Sequence, residues 1–187
     1  MSRIITFSTK FPSYHPKKGQ PTNFVEKILK GLIDIQFNEP QNIADYIYDT
    51  GKRMGYDYAD TFLQAVNSST PKYHTIRSGN RWKVGDTFSP RIWSGKPYRS
   101  KMITIAPDIT VEKVFSFEID NGCIFAGKQG LVFEVMNPDN IQILFEHDIW
   151  FQIAKNDGLK EQELLDWFKF PKNFSGQIIC WDKEINY

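Results

Sequence analysis

Lys72-Tyr73-His74-Thr75-Ile76-Arg77 is the segment of this chain best equipped for chemistry. An amine with a depressed pKa can deprotonate a hydroxyl, and the oxygen can then attack a carbonyl carbon. Lys72 and Thr75 are therefore a candidate base and nucleophile. As a strand, the segment sends Lys72, His74 and Ile76 to one face and Tyr73, Thr75 and Arg77 to the other. A bend at its start is what would bring the Lys72 amine to the Thr75 hydroxyl. His74 is a general base by residue type, but a lone histidine among strand residues is more often a satisfied structural group. Arg77 offers a fork of donors for phosphate or carbonyl oxygen. On spacing alone, a solvated lysine beside a strand threonine is the simpler account.

The same segment opens a wider pattern. From Lys72 to Lys101 there are eight basic residues (Lys72, Arg77, Arg81, Lys83, Arg91, Lys96, Arg99 and Lys101) and one acid, Asp86. Tyr73, Trp82, Phe88, Trp93 and Tyr98 are interleaved with them. Cations hold phosphate and flat rings stack on bases, so this mixture predicts contact with single-stranded nucleic acid or a nucleotide. The candidate binding residues are Arg77, Arg81, Trp82, Lys83, Trp93, Lys96, Tyr98, Arg99 and Lys101. A solvated basic face without a partner is the simpler alternative for the charges, and Trp82, beside a turn, is expected to be partly buried.

The formal charge of +1 conceals this patch. Residues 103–187 carry fourteen acids against seven lysines and no arginine, so the basic stretch stands against an acidic second half. Cys123 and Cys180 lie in apolar contexts without CxxC spacing, which suggests buried thiols in a reducing compartment rather than a disulfide or a zinc site. His15 and His147 have no matched partners in the sequence. Nothing in the motif set calls for a cofactor or a metal. MSRIITFSTKF has no long apolar core, and no apolar run approaches membrane-spanning length, so the expected location is the cytoplasm.

These residues need elements to position them. A short strand is predicted at Ile4–Ser8, and a helix through TNFVEKILKGLI, with Thr22 or Asn23 as N-cap and Glu26 in the first turn. Pro40 opens a second helix that Gly51 is expected to end, and a third spans Tyr58–Val66. Asn67 to Pro71 is the clearest internal break. Beyond it come short β runs with turns at Ser78-Gly79-Asn80, Gly85-Asp86, Ser94-Gly95 and Asn121-Gly122. Gly127-Lys128-Gln129-Gly130 lacks Walker spacing and is expected to be a hairpin turn. Helices around Ile149–Ala154 and Glu161–Phe168, with Trp150, Trp167 and Phe168 on their packing faces, precede a strand at Gly176–Trp181. The expected architecture is α+β, a small barrel with flanking helices. Residues 1–69 form a helical extension packed on it, and 70–187 the domain proper.

KYHTIR, then RWKVGD, then WSGKPYRSK, in that order, resemble the ASCH family of PUA-like domains. The matching residues are Lys72, Thr75, Ile76 and Arg77, then Lys83, Gly85 and Asp86. The likeness is densest over residues 70–120, and NDGLKEQELLDWF before the last strand is similar to the family's C-terminal region. The N-terminal piece SYHPKKGQPTNFVEKI looks like the extension of a phage- and Bacteroidetes-type subgroup. The resemblance implies a β-barrel whose cleft takes RNA or a modified nucleoside. It also implies, through one bacterial branch, an amidohydrolase that deacetylates N4-acetylcytidine with a Lys, a Thr and a Glu. Lys72 and Thr75 fall on the first two positions, and Asp157, one methylene shorter, stands at the third. RNA or nucleotide binding is the first expectation, amide hydrolysis the second, and a protein-interaction domain with a basic face the third.

Overall fold

The computed structural model describes residues 2–37, 40–57, 59–128, 130–135, 143–145, 147–170 and 172–187. The chain begins with strand β1 (Arg3–Thr6) and, after a Pro- and Gly-rich loop, helix α1 (Phe24–Asp34). In α1, Phe24, Val25, Ile28, Leu29 and Leu32 are all buried, the i, i+4 recurrence of one apolar stripe. Asn23 is its N-cap, but it adopts left-handed φ of 55° and its side chain makes no cap bond. The Thr22 hydroxyl instead donates to the Ser8 carbonyl at 2.6 Å and accepts from Phe24 N–H at 3.4 Å. Helices α2 (Pro40–Arg53) and α3 (Ala59–Ser68) pack on α1. Gly51 does not end α2, which runs two residues further. A Cβ at Gly51 would lie 2.8 Å from the Phe62 ring, so the glycine lets α3 approach.

The remaining elements are strands β2 (His74–Ser78), β3 (Thr87–Trp93), β4 (Met102–Thr104), β5 (Ile109–Thr110), β6 (Lys113–Asp120), β7 (Cys123–Ala126), β8 (Gly130–Val135) and β9 (Ile143–Phe145). Helices α4 (His147–Asn156) and α5 (Glu161–Phe168) and strand β10 (Phe174–Cys180) complete the chain. The β6–β7 hairpin turns through Asn121 and Gly122, both at positive φ, as a two-residue type I′ turn requires. Gly127 to Gly130 joins β7 to β8, with Gln129 outside the described residues.

The α+β class is thus what the structure has. Its strands form two sheets, and among the described residues no closed barrel forms. The small sheet has β3 at its centre, between β1 and β4, with β5 also paired to β3. The large sheet runs β2-β10-β6-β7-β8-β9. β1 pairs parallel with β3, Thr6 opposite Arg91, so residues 1–69 contribute a strand as well as helices. Phe88 of β3 meets Trp181, just beyond β10, edge to face at 6.0 Å, and Arg77 of β2 donates to the Thr6 carbonyl of β1 at 2.8 Å. The two sheets therefore meet where the KYHTIR segment lies.

Candidate functional site

Lys72 sits two residues ahead of β2 and is 1% exposed. Its backbone N–H donates to the Lys27 carbonyl of α1 at 2.9 Å, and α1 lies so close that a Cβ at Gly31 would fall 2.2 Å from the Lys72 carbonyl oxygen. An apolar helix with a glycine at the crossing thereby fixes where the lysine points. Its amine reaches the far partner, Asp157, twice: 2.6 Å to the carbonyl oxygen and 2.7 Å to Oδ1. Asp157 follows the last residue of α4, and Gly158 after it, at φ +75°, is the left-handed cap that glycine favours. Lys27 Nζ donates to the Gly158 carbonyl at 2.6 Å, so two lysines satisfy successive carbonyls at the helix end. Asp157, one methylene shorter than the glutamate expected at this position, therefore contacts the lysine.

Lys72, Thr75, Arg77 and Asp157 line one cavity of about 60 Å³. Its other walls are Thr6 of β1 with Phe7 and Ser8 just after it, Phe24 of α1, Ile76 of β2, and Leu164, Trp167 and Phe168 of α5. The Lys72 amine lies 4.5 Å from the centre of the Phe24 ring. Pockets for whole drug-sized ligands begin at about 300 Å³, so this one takes a functional group rather than a nucleoside. Burial pushes the Lys72 amine down to about 8, with Asp157 opposing. Burial likewise raises the Asp157 carboxyl, opposed chiefly by Lys72. Burial lowers the Arg77 guanidinium to about 10, leaving it charged at neutral pH. Its Nη2 is committed to Thr6, while its enclosed Nε has no hydrogen-bond acceptor among the described residues.

His74 is fully buried, and its basicity is pushed well below the usual histidine range by burial first and by Lys72 next. It is a neutral structural neighbour of the pair, not an accessible base. His15, expected to be without partners, is held by Lys17 N–H on Nδ1 at 3.0 Å and lies 3.1 Å from the Glu163 carbonyl on Nε2. The His147 side chain lies outside those described.

The basic stretch is split. β3 is seven residues long, so its ends lie on the order of 20 Å apart. Arg81 and Lys83 are exposed near its start, where the Lys83-to-Asp86 turn closes by a 2.9 Å bond from Lys83 N–H to the Asp86 carboxylate. Trp82 is 2% exposed, edge-on to Phe88 and covered by the guanidiniums of Arg3 and Arg81. It is core, more deeply buried than the partial burial expected of it, and presents no open face on which a base could stack. Lys96, Tyr98, Arg99 and Lys101 are exposed on the loop that leaves the other end of β3. This loop, 94–101, is internally bonded: Ser94 N–H to the Lys101 carbonyl at 2.9 Å, and Gly95 N–H to Ser100 Oγ at 3.0 Å. Tyr98, 89% exposed, leans on half-buried Trp93 with ring centres 5.2 Å apart.

Sequence reasoning missed Thr6–Ser8, Phe24 and the inner face of α5 as cavity walls. Trp167 and Phe168 carried only a helical packing signal, and nothing local says what a packing face encloses. Among the described residues no helix is long and apolar enough to cross a membrane, and no group of three or more His, Cys, Asp or Glu residues is arranged to hold a metal. Comparison with known proteins found no matching family model, no matching curated protein and no matching solved structure.

Proposed function

We propose that this chain is an RNA- or nucleotide-binding protein of ASCH, PUA-like type, with loop 94–101 as the element that holds phosphate and base. The observation that carries the reading is the parallel register of β1 on β3. Phe7 N–H donates to the Arg91 carbonyl at 2.8 Å, two residues before Trp93 at the root of the loop. Thr6, Phe7 and Ser8, which wall the Lys72–Asp157 cavity, thus lie at the same sheet end as Lys96, Tyr98, Arg99 and Lys101. Three exposed cations around a paired aromatic suit a sugar-phosphate chain with one stacked base. The cavity beside them, with the uncommitted Arg77 Nε, suits an oxygen-bearing group on that base. Affinity for single-stranded RNA, measured by fluorescence anisotropy, is expected to fall steeply as salt rises from about 50 to about 200 mM. No binding at low salt would remove this reading and leave the basic face for an acidic protein partner.

A second reading, amide hydrolysis on an acylated nucleoside such as N4-acetylcytidine, is favoured by the lysine near pH 8 sharing a cavity with Thr75. A group of that pKa is roughly one-tenth neutral at pH 7 and can act as base. Thr75 Oγ would bond to the acyl carbon while Lys72 takes the hydroxyl proton. The C–N bond would then break as that proton passes to the leaving amine, and water would cleave the acyl-threonine ester to free the acid. A cavity of about 60 Å³ admits the acyl group while the nucleoside stays at the mouth, against the loop. Deacetylation followed by chromatography is expected to rise with pH to a plateau above about 8, the Lys72 value, and to vanish in Thr75→Ala. Turnover that survives Thr75→Ala would exclude this mechanism.

A further inference from the structure

A chain of side chains runs inward from the last residue to the Lys72–Asp157 pair. Asn156 Nδ2 donates to the Tyr187 hydroxyl at 2.8 Å, and that hydroxyl lies 3.0 Å from His74 Nδ1. The other imidazole nitrogen, Nε2, lies 3.6 Å from Asp157 Oδ1, the oxygen that the Lys72 amine contacts at 2.7 Å. His74, Tyr187 and Asp157 are all buried, and the rings of His74 and Tyr187 stand edge to face with centres 5.6 Å apart. The terminal segment is fixed: Lys113 Nζ donates to the Ile185 carbonyl at 2.6 Å, and a Cβ at Gly127 would lie 2.5 Å from the Tyr187 carbonyl oxygen.

One set of bond directions satisfies all three contacts. The Asn156 amide nitrogen only donates, so the Tyr187 oxygen accepts from it and has its own proton left to give. With His74 Nδ1, 3.0 Å away, taken as the acceptor of that proton, the nitrogen carries no hydrogen. A neutral imidazole keeps one proton, so it sits on Nε2, facing the Asp157 carboxylate. At 3.6 Å this is beyond a hydrogen bond, and the Ile153 backbone is a further hydrogen-bond partner of the ring.

We propose that Tyr187 and His74 are positioning residues for the Lys72–Asp157 pair, the tyrosine hydroxyl holding His74 as the Nε2–H tautomer so that its N–H faces Asp157. Neither residue lines the cavity. The inference rests on the reading of Lys72 and Asp157 as the functional pair, but its test needs no activity. It also removes His74 from the candidate bases, because its one free lone pair is already used by Tyr187.

The test is the tautomer itself, read from two-bond proton–nitrogen correlations in the full-length protein with ¹⁵N-labelled histidine. The three histidines are assigned with His15→Gln and His147→Gln. A pyrrole-type Nε2 and a pyridine-type Nδ1 at His74 are expected in the wild type, and loss of that preference in Tyr187→Phe. A wild-type His74 that is Nδ1–H or doubly protonated would overturn the relay, as would an unchanged tautomer in a folded Tyr187→Phe. Should Tyr187→Phe not fold, the wild-type spectrum decides alone. Absence of RNA binding or deacetylation with the tautomer as stated would count against the proposed function and leave the relay standing.

Discussion

At the scale of single residues, the Lys72–Asp157 contact is costly to keep and costlier to break. Two charges out of water lose several kcal/mol of hydration each, and removing one partner strands the other, typically at about 3–5 kcal/mol. Lys72→Met is therefore expected to lower unfolding stability by about that amount in a urea titration, with Lys72→Met/Asp157→Leu recovering most of the loss. A double variant no better than the single one would mean that the pair is not isolated as described. The pH dependence has a definite sign. The unfolded chain keeps the Lys72 proton up to 10.5, the folded chain only to about 8. Between those values the unfolded state holds more protons, so the Lys72 contribution makes stability rise with pH through that window, and below 8 that gain is absent. Lys72→Met should lack that rise. The residue types were legible: lysine, threonine and arginine in one hexapeptide. Their burial was not, because Lys72 lies ahead of its strand and is enclosed by α1 and α5, elements distant in sequence.

At the scale of elements, the decisive crossing is α1 over the segment leading into β2. Ile28, Leu29 and Leu32 bury the helix, and Gly31 lets it approach to where any Cβ would overlap the Lys72 carbonyl. Gly31→Ala gains helix propensity of up to about 1 kcal/mol, yet must push α1 or Lys72 aside. Overpacking of this kind costs about 1–3 kcal/mol or more, so net destabilisation is expected, with a shifted Lys72 titration by ¹³C NMR. Unchanged stability and an unchanged Lys72 resonance would contradict this view of the crossing. The helical stripe of α1 was readable from sequence spacing, as were α5 and the β6–β7 turn. Gly31 carried no such signal, since a glycine within a helical pattern announces neither its neighbour nor its role. β3 shows the converse: cations adjacent in sequence are dealt to the two ends of one strand, because seven extended residues separate what the linear order places together.

At the scale of the whole molecule, two sheets meet at KYHTIR, with helices from both ends of the chain closing the cavity between them. Composition and turn spacing were enough for the α+β class, but not for the pairing of β1 with β3, a parallel contact between residues more than eighty apart. That pairing sets the cavity wall beside the basic loop, and with it the proposed path of RNA. The decisive measurement compares two variants at opposite ends of β3 for binding of single-stranded RNA across a salt series. Lys96→Gln/Arg99→Gln/Lys101→Gln should weaken binding and flatten the salt slope by about one unit for each phosphate no longer neutralised, while Arg81→Gln/Lys83→Gln should stay near the wild type. The opposite ranking, or equal weakening by both variants, would contradict the claim that RNA lies on the loop beside the Lys72–Asp157 cavity.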